Sequence, residues 1–121
     1  MHSIFLAICA LAYTGASHAQ PATGSTNPPK TWTTCAACHA AQGAAALGPS
    51  LNGVVGRKSG SVPGFAYSRA MRSASITWDE RSLLDFLADP QKVVPGNRMP
   101  FAGVPDSSEA AELVHYLKTL R

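Results

Sequence analysis

Cys35-Ala36-Ala37-Cys38-His39 places two thiols and an imidazole within one short stretch of chain. On a helix, positions three and four apart share a face, so Cys35, Cys38 and His39 can address one flat ligand. The two alanines between the cysteines keep that face uncluttered. Two sulfurs can bond two vinyl groups while the imidazole reaches an iron, and C-x-x-C-H is the attachment signature of c-type haem. Three other readings explain less. A thioredoxin-type C-x-x-C needs a strand-to-helix setting within a βαβ unit, and the surrounding pattern has none. A zinc site needs four ligands, whereas beyond residue 19 the chain offers Cys35, Cys38, His39 and a His115 that sits in an ordinary helical pattern. A plain disulfide would leave His39 without a role.

Working outward, Pro29 suits the first turn of a helix running through Trp32 to His39, with Asn27 or Thr26 as its cap. Residues 43–64 are punctuated by Gly43, Gly48, Pro49, Gly53, Gly56, Gly60 and Pro63, which predicts a long loop. A loop of that length in a small domain usually wraps something. Thr77-x-x-Glu80 has the form of a capping box opening a helix with Leu83, Leu84 and Leu87 at core spacing. Asp89-Pro90 should stop it, because the residue before proline is pushed out of the helical region. A second Pro/Gly loop spans Pro95 to Pro105. A last helix starting at Asp106 or Ser107 carries Ala110, Leu113, Val114, Leu117 and Leu120 on one face, and Lys118 and Arg121 complement its C-terminal end. No run alternates over strand length, so the reading is all-α: three main helices joined by long loops. Helices this short bury too little apolar surface to offset chain entropy alone, which asks for a central filler.

The bulk properties agree. The 121 residues suit one domain. Ile4 to Tyr13 has the length of a signal h-region, and Ser17 and Ala19 fit a cleavage site before Gln20. The expected layout is therefore a signal peptide at 1–19, a disordered Pro-rich lead-in at 20–29 and one domain at 30–121. Cys9 would leave with the signal, and Cys35 and Cys38 would remain in an oxidising compartment, the periplasm, where thiols pair unless chemistry occupies them. The formal charge of +3 is mild. Arg57, Lys58, Arg69 and Arg72 form only a loose basic stretch, too sparse for nucleic-acid binding. A second axial ligand is expected from a distant loop. Met99 lies in the rigid Pro95-Gly96-Asn97-Arg98-Met99-Pro100-Phe101 segment, whereas Met71 reads as a core gap-filler.

These residues resemble the small soluble single-haem cytochromes c of mitochondrial and bacterial periplasmic type. The resemblance covers about residues 32–120 and rests on C-A-A-C-H, L-G-P-S-L-N-G-V-V-G-R-K-S-G at 47–60, G-F-A-Y-S at 64–68, I-T-W at 76–78, P-G-N-R-M-P-F-A-G at 95–103 and E-L-V-H-Y-L-K at 112–118. It implies the cytochrome c fold around one covalent haem c, with its iron between His39 and Met99. It also implies that the Pro49 carbonyl takes the His39 ring N–H, that Arg57, Tyr67 and Trp78 bond the buried propionate, and that Leu113, Tyr116 and Leu117 pack on the first helix. His/Met ligation is known in cytochromes c to raise the potential. Two positions depart from the pattern: Phe86 stands where many relatives have tyrosine, and Met71 where asparagine is common. With its first turn replaced by Pro28 and Pro29, the chain has Trp32 as the only local aromatic able to reach the last helix.

The resemblance implies an exported monomeric electron carrier, not an enzyme, exchanging electrons with redox proteins such as a membrane complex, a dehydrogenase or a terminal oxidase or reductase. The alternatives are a haem subunit docked to a periplasmic dehydrogenase and, further off, an open-site haem enzyme or gas-binding cytochrome, which Met99 argues against. Mitochondrial-type relatives ring the haem edge with lysines, but here Thr34, Gln91, Pro105 and Asp106 hold most of those places, leaving Lys92 and Arg98. Few charges steer weakly. Reduction by the physiological donor is therefore predicted to change less than tenfold between about 10 mM and 200 mM salt, while the screening length shrinks from about 30 Å to under 10 Å. A larger fall in a stopped-flow rate would show that other basic residues rebuild the ring.

Overall fold

Helices begin where a side chain can take the orphan backbone donors of the first turn, and such caps open four of the five helices among the described residues. The computed structural model describes residues 26–39 and 47–121. In chain order they form α1 (Trp32–Ala36), α2 (Arg69–Ser73), α3 (Glu80–Ala88), α4 (Pro90–Val93) and α5 (Ser107–Leu117). Among the described residues the extended pairing is one isolated antiparallel bridge, Lys58 with Thr77. The chain is all-α, with α3 and α5 its longest helices. The expected signal peptide at 1–19, the lead-in up to residue 25 and residues 40–46 of the first loop lie outside the described residues.

The Asp106 carboxylate starts α5 by accepting from Ser108 N–H at 2.8 Å and Glu109 N–H at 2.9 Å. Hydrogen bonds from Ser108 and Glu109 hold this carboxyl below its usual range. The expected face is inward: Ala110, Leu113, Val114 and Leu117 are buried, Leu113 completely. Lys118 does not serve the end of its own helix as expected. Its ammonium bonds Glu80 at 2.7 Å and ties the end of α5 to the first turn of α3.

The capping box of α3 falls two residues later than predicted. Asp79 accepts from Ser82 N–H at 2.7 Å, and Asp79 N–H donates to Ser82 Oγ at 2.8 Å. Thr77 cannot begin the helix because it is still paired with Lys58, and Trp78 N–H donates to the Arg57 carbonyl at 2.9 Å. Asp89 ends α3 as predicted and then caps α4, accepting from Lys92 N–H at 3.1 Å with Pro90 in the first turn. The sequence reading has no helix at α2 or α4, which are too short to show a helical period. The first helix is also shorter than predicted. Trp32 N–H donates to the Pro29 carbonyl at 2.9 Å in a preceding turn, and the N-cap is Thr31 rather than Thr26 or Asn27. Beyond α1 the His39 N–H still donates to the Cys35 carbonyl at 2.8 Å, so the helical spacing of Cys35 and His39 persists.

The core joins Trp32, Val54, Trp78, Leu83, Phe86, Leu87, Val94 and Val104 to the inner face of α5. Trp32, 8% exposed, meets Tyr116 edge to face with ring centroids 5.0 Å apart, which answers how the shortened first helix reaches the last one. Trp32→Ala is predicted to cost about 3–5 kcal/mol in denaturant unfolding; a loss below about 0.5 kcal/mol would place the ring at the surface. Ser75, between α2 and Ile76, has φ +55°, a left-handed conformation that side chains disfavour. Ser75→Gly should therefore match or raise stability, by up to about 1 kcal/mol, while Ser75→Val should lower it. Equal thermal midpoints for the glycine and valine variants would remove this account of Ser75.

Candidate functional site

His39 sits directly after the turn that follows α1, and its ring is fixed by the backbone of Pro49, ten residues along the chain. The Pro49 carbonyl lies 2.8 Å from His39 Nδ1, as the resemblance implied. A carbonyl can only accept, so Nδ1 carries the proton and Nε2 keeps its lone pair. Gly48 makes the approach possible: a Cβ there would lie 2.8 Å from His39 Cε1 and Nδ1 and 3.0 Å from the Cys38 carbonyl. Cys35 and Cys38 are both free thiols, half-buried. Burial, with a smaller contribution from Cys38, pushes the Cys35 thiol above its usual value despite a backbone hydrogen bond. Neither the four-ligand cluster that zinc needs nor a Cys35–Cys38 disulfide occurs among the described residues.

Arg57 carries the second element of the site. Its guanidinium donates to the Asn52 carbonyl at 2.8 Å and the Ser50 carbonyl at 2.7 Å, and burial pushes its pKa below the usual value. Among the described residues no carboxylate pairs with it. Tyr67 lies close enough to interact with Arg57, and burial pushes its phenol upward; Val62 N–H reaches the hydroxyl at 3.4 Å, a weak contact. Trp78 is buried and packs edge to face on Phe86 at 5.1 Å. A half-buried cation bonded only to neutral carbonyls is suited to an anion.

Met99 lies in the loop between α4 and α5, half-buried against the core. Its N–H donates to Asn97 Oδ1 at 2.9 Å. Met71 is half-buried on α2, against the same core. Leu51, Ile76 and Phe101 are likewise packed on the core yet only partly covered. Two thiols, an oriented imidazole, an uncompensated guanidinium and several incompletely covered apolar side chains fit a flat apolar group bearing carboxylates.

The comparisons agree with that fit. The family model for cytochrome c matches residues 26–121. This chain belongs to the cytochrome c family. It is 45% identical over 94 residues to the cytochrome c2 iso-2 of Magnetospirillum molischianum, covering 77% of this chain and 97% of the relative. It is 48% identical over 86 residues to the cytochrome c of Tetrahymena pyriformis, covering 71% of this chain and 78% of that one. Among solved structures, cytochrome cH from Methylobacterium extorquens superposes with a TM-score of 0.71 at 42% identity, covering 74% of this chain and 92% of that one. As a cytochrome c, the chain takes covalent haem c and works in electron transfer.

The sequence reading missed four contributors. The carbonyls of Ser50 and Asn52 leave no side-chain signal. Gly48 appeared only as loop punctuation. Asn97, buried two residues before Met99, could have been read as an Asx turn. Arg98, expected to be a free docking charge, donates to the Ala66 carbonyl at 2.6 Å, which leaves Lys92 as the freer of the two. Gly48→Ala is predicted to displace the imidazole and cost about 1–3 kcal/mol, the range for overpacking. Unchanged stability and an unchanged haem spectrum would show that the ring has room to move.

Proposed function

We propose that this cytochrome c is a single-electron carrier whose haem is bound through Cys35 and Cys38, with His39 and Met99 as the axial iron ligands. The observation that carries the reading is the Pro49 carbonyl on His39 Nδ1, which leaves the Nε2 lone pair free to ligate and holds the ring in one orientation. When bound, the haem supplies a one-electron iron couple. The protein would hold the surroundings constant between its two states: His39 is anchored by Pro49 and Met99 by the Asn97 turn, and Arg57, Tyr67 and Trp78 would offset propionate charge. The half-exposed apolar shell of Leu51, Met71 and Phe101 would close over the group and exclude water. A soft thioether favours ferrous iron, so the potential should lie high for a haem protein.

Met99 in a hydrogen-bonded loop favours a closed iron site and hence a carrier rather than an enzyme. The reading places the mature protein, cut after residue 19, in the periplasm, where it meets redox protein partners.

Two measurements test this. Haem should stay with the protein in acid-acetone, and the Cys35→Ala, Cys38→Ala double variant should yield no stable holoprotein; free extraction from the wild type would refute covalent attachment through these cysteines. The ferric protein should show a weak near-infrared sulfur-to-iron band that Met99→Ala abolishes, with a lower potential in the variant. Survival of the band would move the ligand to Met71.

A further inference from the structure

The Met99 loop is tied to α4 by two amide side chains. Asn97 is buried: its Nδ2 donates to the Pro90 and Val94 carbonyls, both at 2.9 Å, while Oδ1 accepts from Met99 N–H at 2.9 Å. Gln91 lies exposed on α4 and spans the same loop from outside. Its Oε1 accepts from Gly96 N–H at 3.2 Å, and its Nε2 donates to the Asn97 carbonyl at 3.0 Å. Gly96 has φ +84°, a conformation whose N–H finds its partner here in a side chain. Four of these bonds fasten α4 and its C-cap Val94 to the residues before Met99, and the fifth, inside the loop, holds the Met99 N–H.

We infer that Gln91 is a positioning residue for the Met99 thioether, acting as an outer latch on the loop that presents it. The inference rests on the proposed ligation by Met99 and adds a residue that touches neither the sulfur nor the core. Asn97 supports the fold as well as the loop, because removing it orphans buried carbonyls. Gln91 differs. It is exposed, its partners lie five and six residues along the chain, and water can replace it once the loop has moved. Its two bonds therefore oppose loop opening without contributing much to global stability. An iron–thioether contact must break before an outside ligand can enter, so the rate of entry reports on how often this loop opens.

The test uses ferric holoprotein and imidazole as the probe, with Lys92→Ala as the neighbouring control. Gln91→Ala should accelerate imidazole entry about fivefold or more, equivalent to roughly 1 kcal/mol at 1.4 kcal/mol per decade. Hydrogen exchange at the Met99 amide should rise by a similar factor, while α3 and α5 amides keep wild-type rates. Lys92→Ala should leave both readouts unchanged. Imidazole entry within twofold of wild type in Gln91→Ala would overturn the latch, as would faster exchange spread evenly through α3 and α5. Wild-type imidazole entry in Met99→Ala would instead sink the ligation proposal, and the latch with it, so the two failures are distinguishable.

Discussion

The 2.8 Å contact between the Pro49 carbonyl and His39 Nδ1 joins the two halves of the attachment region. It fixes the tautomer, the ring plane and the distance between the turn after α1 and the segment around Gly48 and Pro49. Gly48 keeps that loop pressed against the ring, since any Cβ would intrude on it. From this anchor, the Ser50 and Asn52 carbonyls receive the Arg57 guanidinium. The Arg57 backbone in turn holds Trp78, and Trp78 packs edge to face on the Phe86 of α3. One hydrogen bond to an imidazole is thereby connected, through short steps of backbone and ring packing, to the helix pair that forms the core.

That core is thin. Leu113 and Val114 of α5 are its most deeply buried side chains, and a second set of apolar side chains, Leu51, Met71, Met99 and Phe101, remains half-covered. Burying apolar area is the dominant favourable contribution to folding, and small domains often need a cofactor to complete it. In the proposed reading the haem of this family would supply both the missing apolar surface and the anionic groups that suit Arg57. Binding and folding would then be two aspects of the same event, which accounts for the defined shape of the long non-helical stretches among the described residues.

Much of this was written in the sequence. C-x-x-C-H, the Gly/Pro punctuation and the period of Ala110, Leu113, Val114 and Leu117 were enough to predict an all-α chain closed around a flat group, and Trp32 was correctly assigned to the last helix. What escaped was local competition between equally plausible caps. Thr77 and Asp79 both head capping sequences, and the bridge from Thr77 to Lys58 decided between them. Helices of four and five residues leave no periodic trace, so α2 and α4 were invisible. Backbone carbonyls also leave none, so the environment of Arg57 and the latching of the Met99 loop needed coordinates. Lys118 found its partner in Glu80 on another helix, a choice that sequence distance concealed.

The central claim is that the fold closes on haem with Met99 directly against the iron, leaving Met71 to the core. Methyl-labelled methionine in the reduced, diamagnetic holoprotein reads this out by NMR, because the aromatic ring current displaces any methyl lying over the macrocycle. The account predicts one methyl strongly shifted upfield, lost in Met99→Leu and retained in Met71→Leu. An upfield methyl that disappears with Met71 instead, or none at all, would contradict it.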